Sequence, residues 1–270
     1  MKHYFTPSEF IERYNDIGIQ KTNSRFLKLL FLSVLSGIFL GFAAAGSTVV
    51  SAMVENPSVK KLLSGLLFPT GLIMIILTGA ELFTGNCLIS IPVFSGKVKF
   101  SKFIRNLGIV YLGNLLGSLL ISFIITILTQ YLNIFPNNAM VTEVCRIANS
   151  KCSLPFTHAI FSGFCCNILV CTAVAMSICA TEIPGKIISA FIPVALFVIC
   201  GFEHSIANMY YIPAGLFIKY SNLYPQITQS AFSSLTIFNF FIKNLLPVTL
   251  GNALGGILFS YIMYFSHKQK

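Results

Sequence analysis

Residues 201–213 read Gly-Phe-Glu-His-Ser-Ile-Ala-Asn-Met-Tyr-Tyr-Ile-Pro, in the middle of an apolar run extending over about 187–219. One hydrocarbon crossing takes roughly 20 residues of helix, so the run is long for a single rod. Glu203 and His204 fall near its centre, where an ionisable side chain facing lipid costs roughly 3 kcal/mol or more. The helix is therefore expected to break there and turn its polar centre toward protein. A second stretch poses the same problem: residues 79–86 read Gly-Ala-Glu-Leu-Phe-Thr-Gly-Asn inside the apolar run 62–94. Both stretches share Gly-x-Glu-x4-Asn, with the two glutamates 122 positions apart.

The correspondence continues on either side. Ser36-Gly37 is echoed by Ser162-Gly163, and Asn-Leu-x4-Leu-Gly-Asn-x-x-Gly runs from Asn106 to Gly117 and again from Asn244 to Gly255. Apolar runs at about 26–54, 62–94, 103–132, 154–180, 187–219 and 237–265 give six spans, three in each repeat (about 26–132 and 154–265). An odd number of spans per half makes the second half enter the membrane from the opposite side, related to the first by a pseudo-two-fold axis in the membrane plane. The expected fold is an all-α membrane protein of six transmembrane helices in two inverted three-helix repeats, with the second and fifth helices broken.

Composition agrees. Of 270 residues 55% are hydrophobic and only 10% charged, with a mean hydropathy of +0.81; a soluble domain carries about 25% charge. The net charge of +10 does not point to nucleic acid, because the basic residues are spread over the ends of apolar runs and form no single patch with interleaved aromatics. Twelve of the 18, among them Lys21, Arg25, Lys97, Lys99, Lys102 and Arg105, fall on the side of the termini, which places both termini in the cytoplasm of a cell-membrane protein. Residues 1–25 lack the apolar core of a cleavable signal. With Phe5, Phe10, Ile11, Tyr14 and Ile17 at near-helical spacing they are expected to form an amphipathic helix on the cytoplasmic surface, ahead of a transport domain at 26–265 and a cytoplasmic tail at 266–270.

Six of the eight cysteines lie in apolar runs as packing residues. Cys145 and Cys152 lie in a polar loop between spans three and four, where a disulfide is compatible with an extracellular position. No metal-ligand spacing appears, and no cofactor is expected. Nor is there a nucleophile–base pair of the kind an enzyme needs.

Glu81 and Glu203 are expected to accept hydrogen bonds from backbone N–H groups freed at the breaks, with Asn86 and Asn208 close by. His204 is the one histidine at mid-membrane, and its imidazole both donates and accepts and exchanges a proton near neutral pH. Thr84 belongs to the break of the first half and offers a hydroxyl to the same point. The lining around them, Phe68, Leu72, Leu82, Phe83, Val170 and Phe197, is apolar and would exclude a bare ion.

At GAELFTGN and GFEHSIANMYYIP, and over nearly the whole chain including RNLGIVYLGNLLG, CCNILVC and KNLLPVTLGNALGG, the sequence resembles the formate–nitrite transporter family. The resemblance implies an aquaporin-like protomer in a homopentamer, with one pathway per protomer. It implies that His204 is the central histidine and Thr84 its partner, and that Lys151, 16 residues before the fourth-span Asn167, is the vestibule lysine that attracts substrate. Phe68 and Phe197 correspond to an outer constriction; Leu72, Phe83 and Val170 correspond to an inner one, with Leu82 between them. Asn86 and Asn208 match the asparagines that close the breaks.

The function expected is transport of small monovalent weak-acid anions such as formate, nitrite, lactate or acetate, coupled to protons through transient protonation of the substrate. The alternative is a passive anion channel with a protonated His204. A water- or glycerol-type pore shares the architecture but lacks support here, since paired Asn-Pro-Ala motifs are absent.

Overall fold

The structure, a computed structural model, describes residues 4–128, 138–225 and 227–268. The end of the third predicted span, the start of the loop after it and the charges of Lys2 and Lys270 lie outside these residues. Ten principal helices follow one another: α1 (Pro7–Thr22), α2 (Phe26–Ala52), α3 (Pro57–Thr78), α4 (Phe83–Phe94), α5 (Phe100–Leu128), α6 (Asn138–Cys152), α7 (Phe156–Cys179), α8 (Ile183–Cys200), α9 (Ser205–Tyr220) and α10 (Asn239–His267). Six of them, α2, α3, α5, α7, α8 and α10, are long and apolar enough to cross a membrane.

The second and fifth spans break at equivalent points. Helix α3 stops at Gly79 (φ 74°) and α8 at Gly201 (φ 76°); the left-handed conformation is open to glycine without the penalty a Cβ brings. Beyond each glycine the chain turns back on the helix end, with Ala80 N–H donating to the Ile75 carbonyl and Phe202 N–H to the Phe197 carbonyl. After a few extended residues the chain re-enters a helix as α4 or α9.

Close packing of spans one and three mirrors that of spans four and six. A Cβ on Gly117 would collide with the Val34 carbonyl, and one on Gly255 with the Phe164 carbonyl. Small residues let helix backbones approach in this way where lipid supplies no hydrophobic drive for association.

The mirror relation also reaches one helix further upstream than the apolar runs suggested. In α1, Ile11, Tyr14, Gly18 and Thr22 are buried; in α6, Val141, Val144, Ala148 and Cys152 are buried at the same spacing, 130 positions on. Gly18 packs on Pro92 of α4, and Ala148 on Gly215 of α9. The expected surface helix therefore turns its apolar face inward, onto the end of the transport helices. An amphipathic pattern reads identically whether its apolar face meets lipid or protein.

The stretch read as a polar loop with Cys145 and Cys152 is largely this helix α6. Both thiols are free and fully buried, Cys145 against the Gly215 carbonyl. Seven residues of helix separate them by about 10 Å, too far for a disulfide.

Candidate functional site

Around each break one lysine, one glutamate and two asparagines assemble. On the side of the termini, Glu81 Oε2 accepts from Lys21 Nζ at 2.7 Å and from Asn86 Nδ2 at 2.7 Å; Asn86 also donates to Asn106 Oδ1 at 2.9 Å, and Asn106 donates to the Lys21 carbonyl at 3.1 Å. On the far side, Lys151 Nζ donates to Glu203 Oε1 and Oε2 at 2.9 and 3.1 Å, Asn208 Nδ2 to Glu203 Oε2 at 2.6 Å and to Asn244 Oδ1 at 2.7 Å, and Asn244 to the Lys151 carbonyl at 2.9 Å. A buried carboxylate is tolerable only when paired and hydrogen-bonded in this manner.

The freed backbone groups go elsewhere. Phe83 N–H donates to Asn114 Oδ1 at 3.0 Å and Ser205 N–H to Asn252 Oδ1 at 2.9 Å. The same asparagines donate to the Glu81 and Glu203 carbonyls at 2.9 and 3.0 Å, while Glu203 N–H finds Ser162 Oγ at 3.0 Å. The expectation that the carboxylates of Glu81 and Glu203 hold the broken backbone is thus corrected: Asn114 and Asn252 hold it, because a side-chain amide donates and accepts at once, and the carboxylates face lysine and asparagine. Asn167 lies nearby, donating to the Asn252 carbonyl at 2.6 Å.

Two separate cavities approach the two breaks from opposite sides. The far-side cavity, about 180 Å³, reaches from Ser51 and Ser64 past Lys151, Phe68 and Phe197 to His204. The cavity on the side of the termini, about 210 Å³, is lined by Tyr14 and Lys21 and ends on Leu72, Leu82 and Gly85. No lining residue is common to the two.

Between them lies a closed barrier. The rings of Phe68 and Phe197 meet edge to face with centroids 5.9 Å apart, and Phe197 stacks on His204 at 5.9 Å and 13°. Leu82 and Leu72 stand on the side of the termini. Phe83 and Val170 are buried and line neither cavity, Phe83 resting edge-on against Tyr111.

His204 occupies the N-cap of α9, its Nδ1 accepting from Ala207 N–H at 3.1 Å, and its Nε2 lies 2.9 Å from Thr84 Oγ1. Because Nδ1 accepts, the neutral ring carries its proton on Nε2, which donates to Thr84 Oγ1 and leaves the threonine hydrogen free for another acceptor. By register the mate of His204 is Leu82, and that of Thr84 is Ile206; the polar pair is a departure from the two-fold pattern. Lys151 lines the far-side cavity with its ammonium already bound by Glu203 and 5.4 Å from the Tyr211 ring.

The sequence profile of the formate/nitrite transporter family matches residues 8–266. The chain belongs to this family. The "Formate channel FocA" of Escherichia coli (strain K12) is 34% identical over 266 residues, spanning 96% of this chain and 93% of that protein. A "Probable formate transporter" of Methanothermobacter thermautotrophicus is 32% identical over 276 residues, covering 96% of each. Among solved structures, a "Pentameric formate channel with formate bound" superposes with a TM-score of 0.80 at 35% identity, covering 89% of this chain and 96% of that one. An "FNT family ion channel" gives 0.82 at 26% identity, covering 96% and 99%. All four are named as channels or transporters, and none as an enzyme.

Within this family member, sequence reasoning missed Lys21, Asn106, Asn114, Asn244 and Asn252. The four asparagines stood in the repeated third- and sixth-span signature, with spacing visible but no partner to assign. Lys21 would have emerged from extending the repeat comparison upstream to α1 and α6.

Proposed function

We propose that the chain carries formate, or a comparably small monovalent weak acid, across the cell membrane as one of five identical subunits, each with its own pathway, and that the substrate crosses the barrier as the neutral acid. The observation that carries this reading is the contact of His204 with Thr84 at 2.9 Å between two separate cavities, each bearing a lysine. An anion drawn into a cavity by Lys151 or Lys21 meets Phe68, Phe197, Leu72 and Leu82, an apolar barrier at which a bare charge loses its hydration. Desolvation raises the pKa of a carboxylate, so the acid takes a proton there from cavity water, meets the Thr84 hydroxyl hydrogen that His204 leaves free, and returns the proton to water on the other side. The formate named for the relatives, and the pentamer named for one neighbour, support the substrate class and the assembly. The excess of basic residues on the side of the termini supports their cytoplasmic placement.

The test is uptake of isotope-labelled formate, nitrite, acetate and lactate into proteoliposomes across a pH series. Uptake should rise as the outer solution is acidified and fall sharply in His204→Ala. Uptake indifferent to pH, or unaltered in His204→Ala, would contradict the proposal.

The second reading, a passive channel for the bare anion, is favoured by the relatives' description as channels. It requires a doubly protonated His204, whose Nδ1–H would point at the N–H of Ala207. The ring would then have to leave its cap.

A further inference from the structure

One hydrogen bond joins the two halves through residues that are each other's mates. Tyr111 Oη and Thr249 Oγ1 are 2.9 Å apart and 138 positions apart in sequence. The same shift of 138 relates Asn106 to Asn244 and Asn114 to Asn252, so the pseudo-two-fold axis passes through this contact. Two groups bonded across an axis tie the halves together where they rotate or shear least.

On the first-half side, the ring so held is the one against which Phe83 rests, with centroids 5.0 Å apart at 71°. Tyr111 also lies one helical turn before Asn114, whose Oδ1 holds the Phe83 backbone N–H. Helix α5 therefore fixes Phe83 twice, at its backbone through Asn114 and at its ring through Tyr111. On the second-half side the mate of Phe83 is Ser205, a fully buried residue whose Oγ meets no partner among the described residues. The fold is thus bulky on one side of the axis and small on the other, and Phe83 stands in the chain between Leu82, which ends one cavity, and Thr84, which meets His204 below the other.

We infer that Tyr111 and Thr249 are positioning residues for substrate size: their hydrogen bond fixes the ring of Phe83 beside Leu82 and Thr84 and so sets how large an acid passes between the cavities. This rests on the transport reading above. Tyr111→Phe keeps the ring and removes only the bond; Thr249→Val removes the same bond from the other end.

The experiment compares wild type, both single variants and the double variant in proteoliposomes, reading the ratio of lactate to formate uptake. A ratio is insensitive to how much protein inserts or folds. Both single variants should raise it by about three-fold or more, well within what one methylene decides in an apolar pocket, and the double variant should raise it no further. The pH profile of formate uptake should stay that of wild type, because His204 and Thr84 are untouched. Thr249→Ser, which retains the hydroxyl, should restore the wild-type ratio. Wild-type ratios in both single variants, or additive effects in the double, would overturn the inference while leaving the transport reading standing. Absence of uptake in the wild type would instead sink the transport reading on which the inference rests.

Discussion

Lys21 and Lys151 occupy equivalent places in the two halves, each closing on its own buried glutamate, at 2.7 Å on Glu81 and 2.9 Å on Glu203. The lysine side chains are 23% and 18% exposed while the carboxylates are nearly dry. The charge of each lysine is therefore largely balanced at rest. What remains is a positive group on a wetted wall with its counter-ion behind it.

Removing either lysine leaves a buried carboxylate without its cation. Lys151→Met should destabilise the protein towards the lower end of the roughly 3–5 kcal/mol that breaking a buried pair costs, because this lysine is partly wetted. Lys151→Met combined with Glu203→Gln should recover most of the loss, since an amide needs no counter-ion. Thermal unfolding in detergent checks both, and equal instability in the single and double variants would show that the pairing is not what matters.

At Gly201 a side chain would meet no neighbouring atom, so a substitution there tests backbone conformation alone. Gly201→Ala should cost about 1–2 kcal/mol through the left-handed φ. Gly201→Asn should cost less, because asparagine visits that region more readily. The same unfolding measurement decides, and an alanine variant as stable as wild type would argue against a fixed break at this point.

A third ion-pair cluster joins α6 to the first turn of α3. Glu143 accepts from Lys60 at 2.9 Å and from Arg146 at 2.6 and 2.7 Å. Burial pushes its carboxyl up, but the hydrogen bonds and charges of Arg146 and Lys60 outweigh this and hold it below the usual glutamate value of 4.5. A depressed folded-state pKa stabilises fully above the unfolded value and is lost as pH falls through the folded one. Wild type should therefore lose stability on acidification below about pH 4.5, and Glu143→Gln should be less stable at neutral pH yet show a shallower acid loss. Melting temperatures from pH 7 down to pH 3 test this; parallel curves for the two proteins would contradict it.

Much of this arrangement is legible in the sequence alone. Two Gly-x-Glu-x4-Asn motifs inside over-long apolar runs already demanded two breaks, because hydrocarbon leaves an ionisable group no other refuge. The shift between the third- and sixth-span signatures already related the halves. Partners drawn from distant sequence were not legible: Lys21 lies 60 positions before Glu81, and no local pattern binds them. Nor was α6, whose buried face mixes Val141, Val144, Cys145, Ala148 and Cys152 with polar residues and gives too weak an apolar period to separate helix from loop.

The proposal that the substrate crosses as a neutral acid at His204 and Thr84 is met most directly by the charge moved per formate. Labelled-formate uptake and current should be recorded together on the same proteoliposomes under an imposed voltage. Electroneutral uptake, insensitive to voltage and accompanied by one proton per formate, is the expected result. A sustained ohmic current that scales with formate uptake would contradict it and assign the bare anion to the pathway.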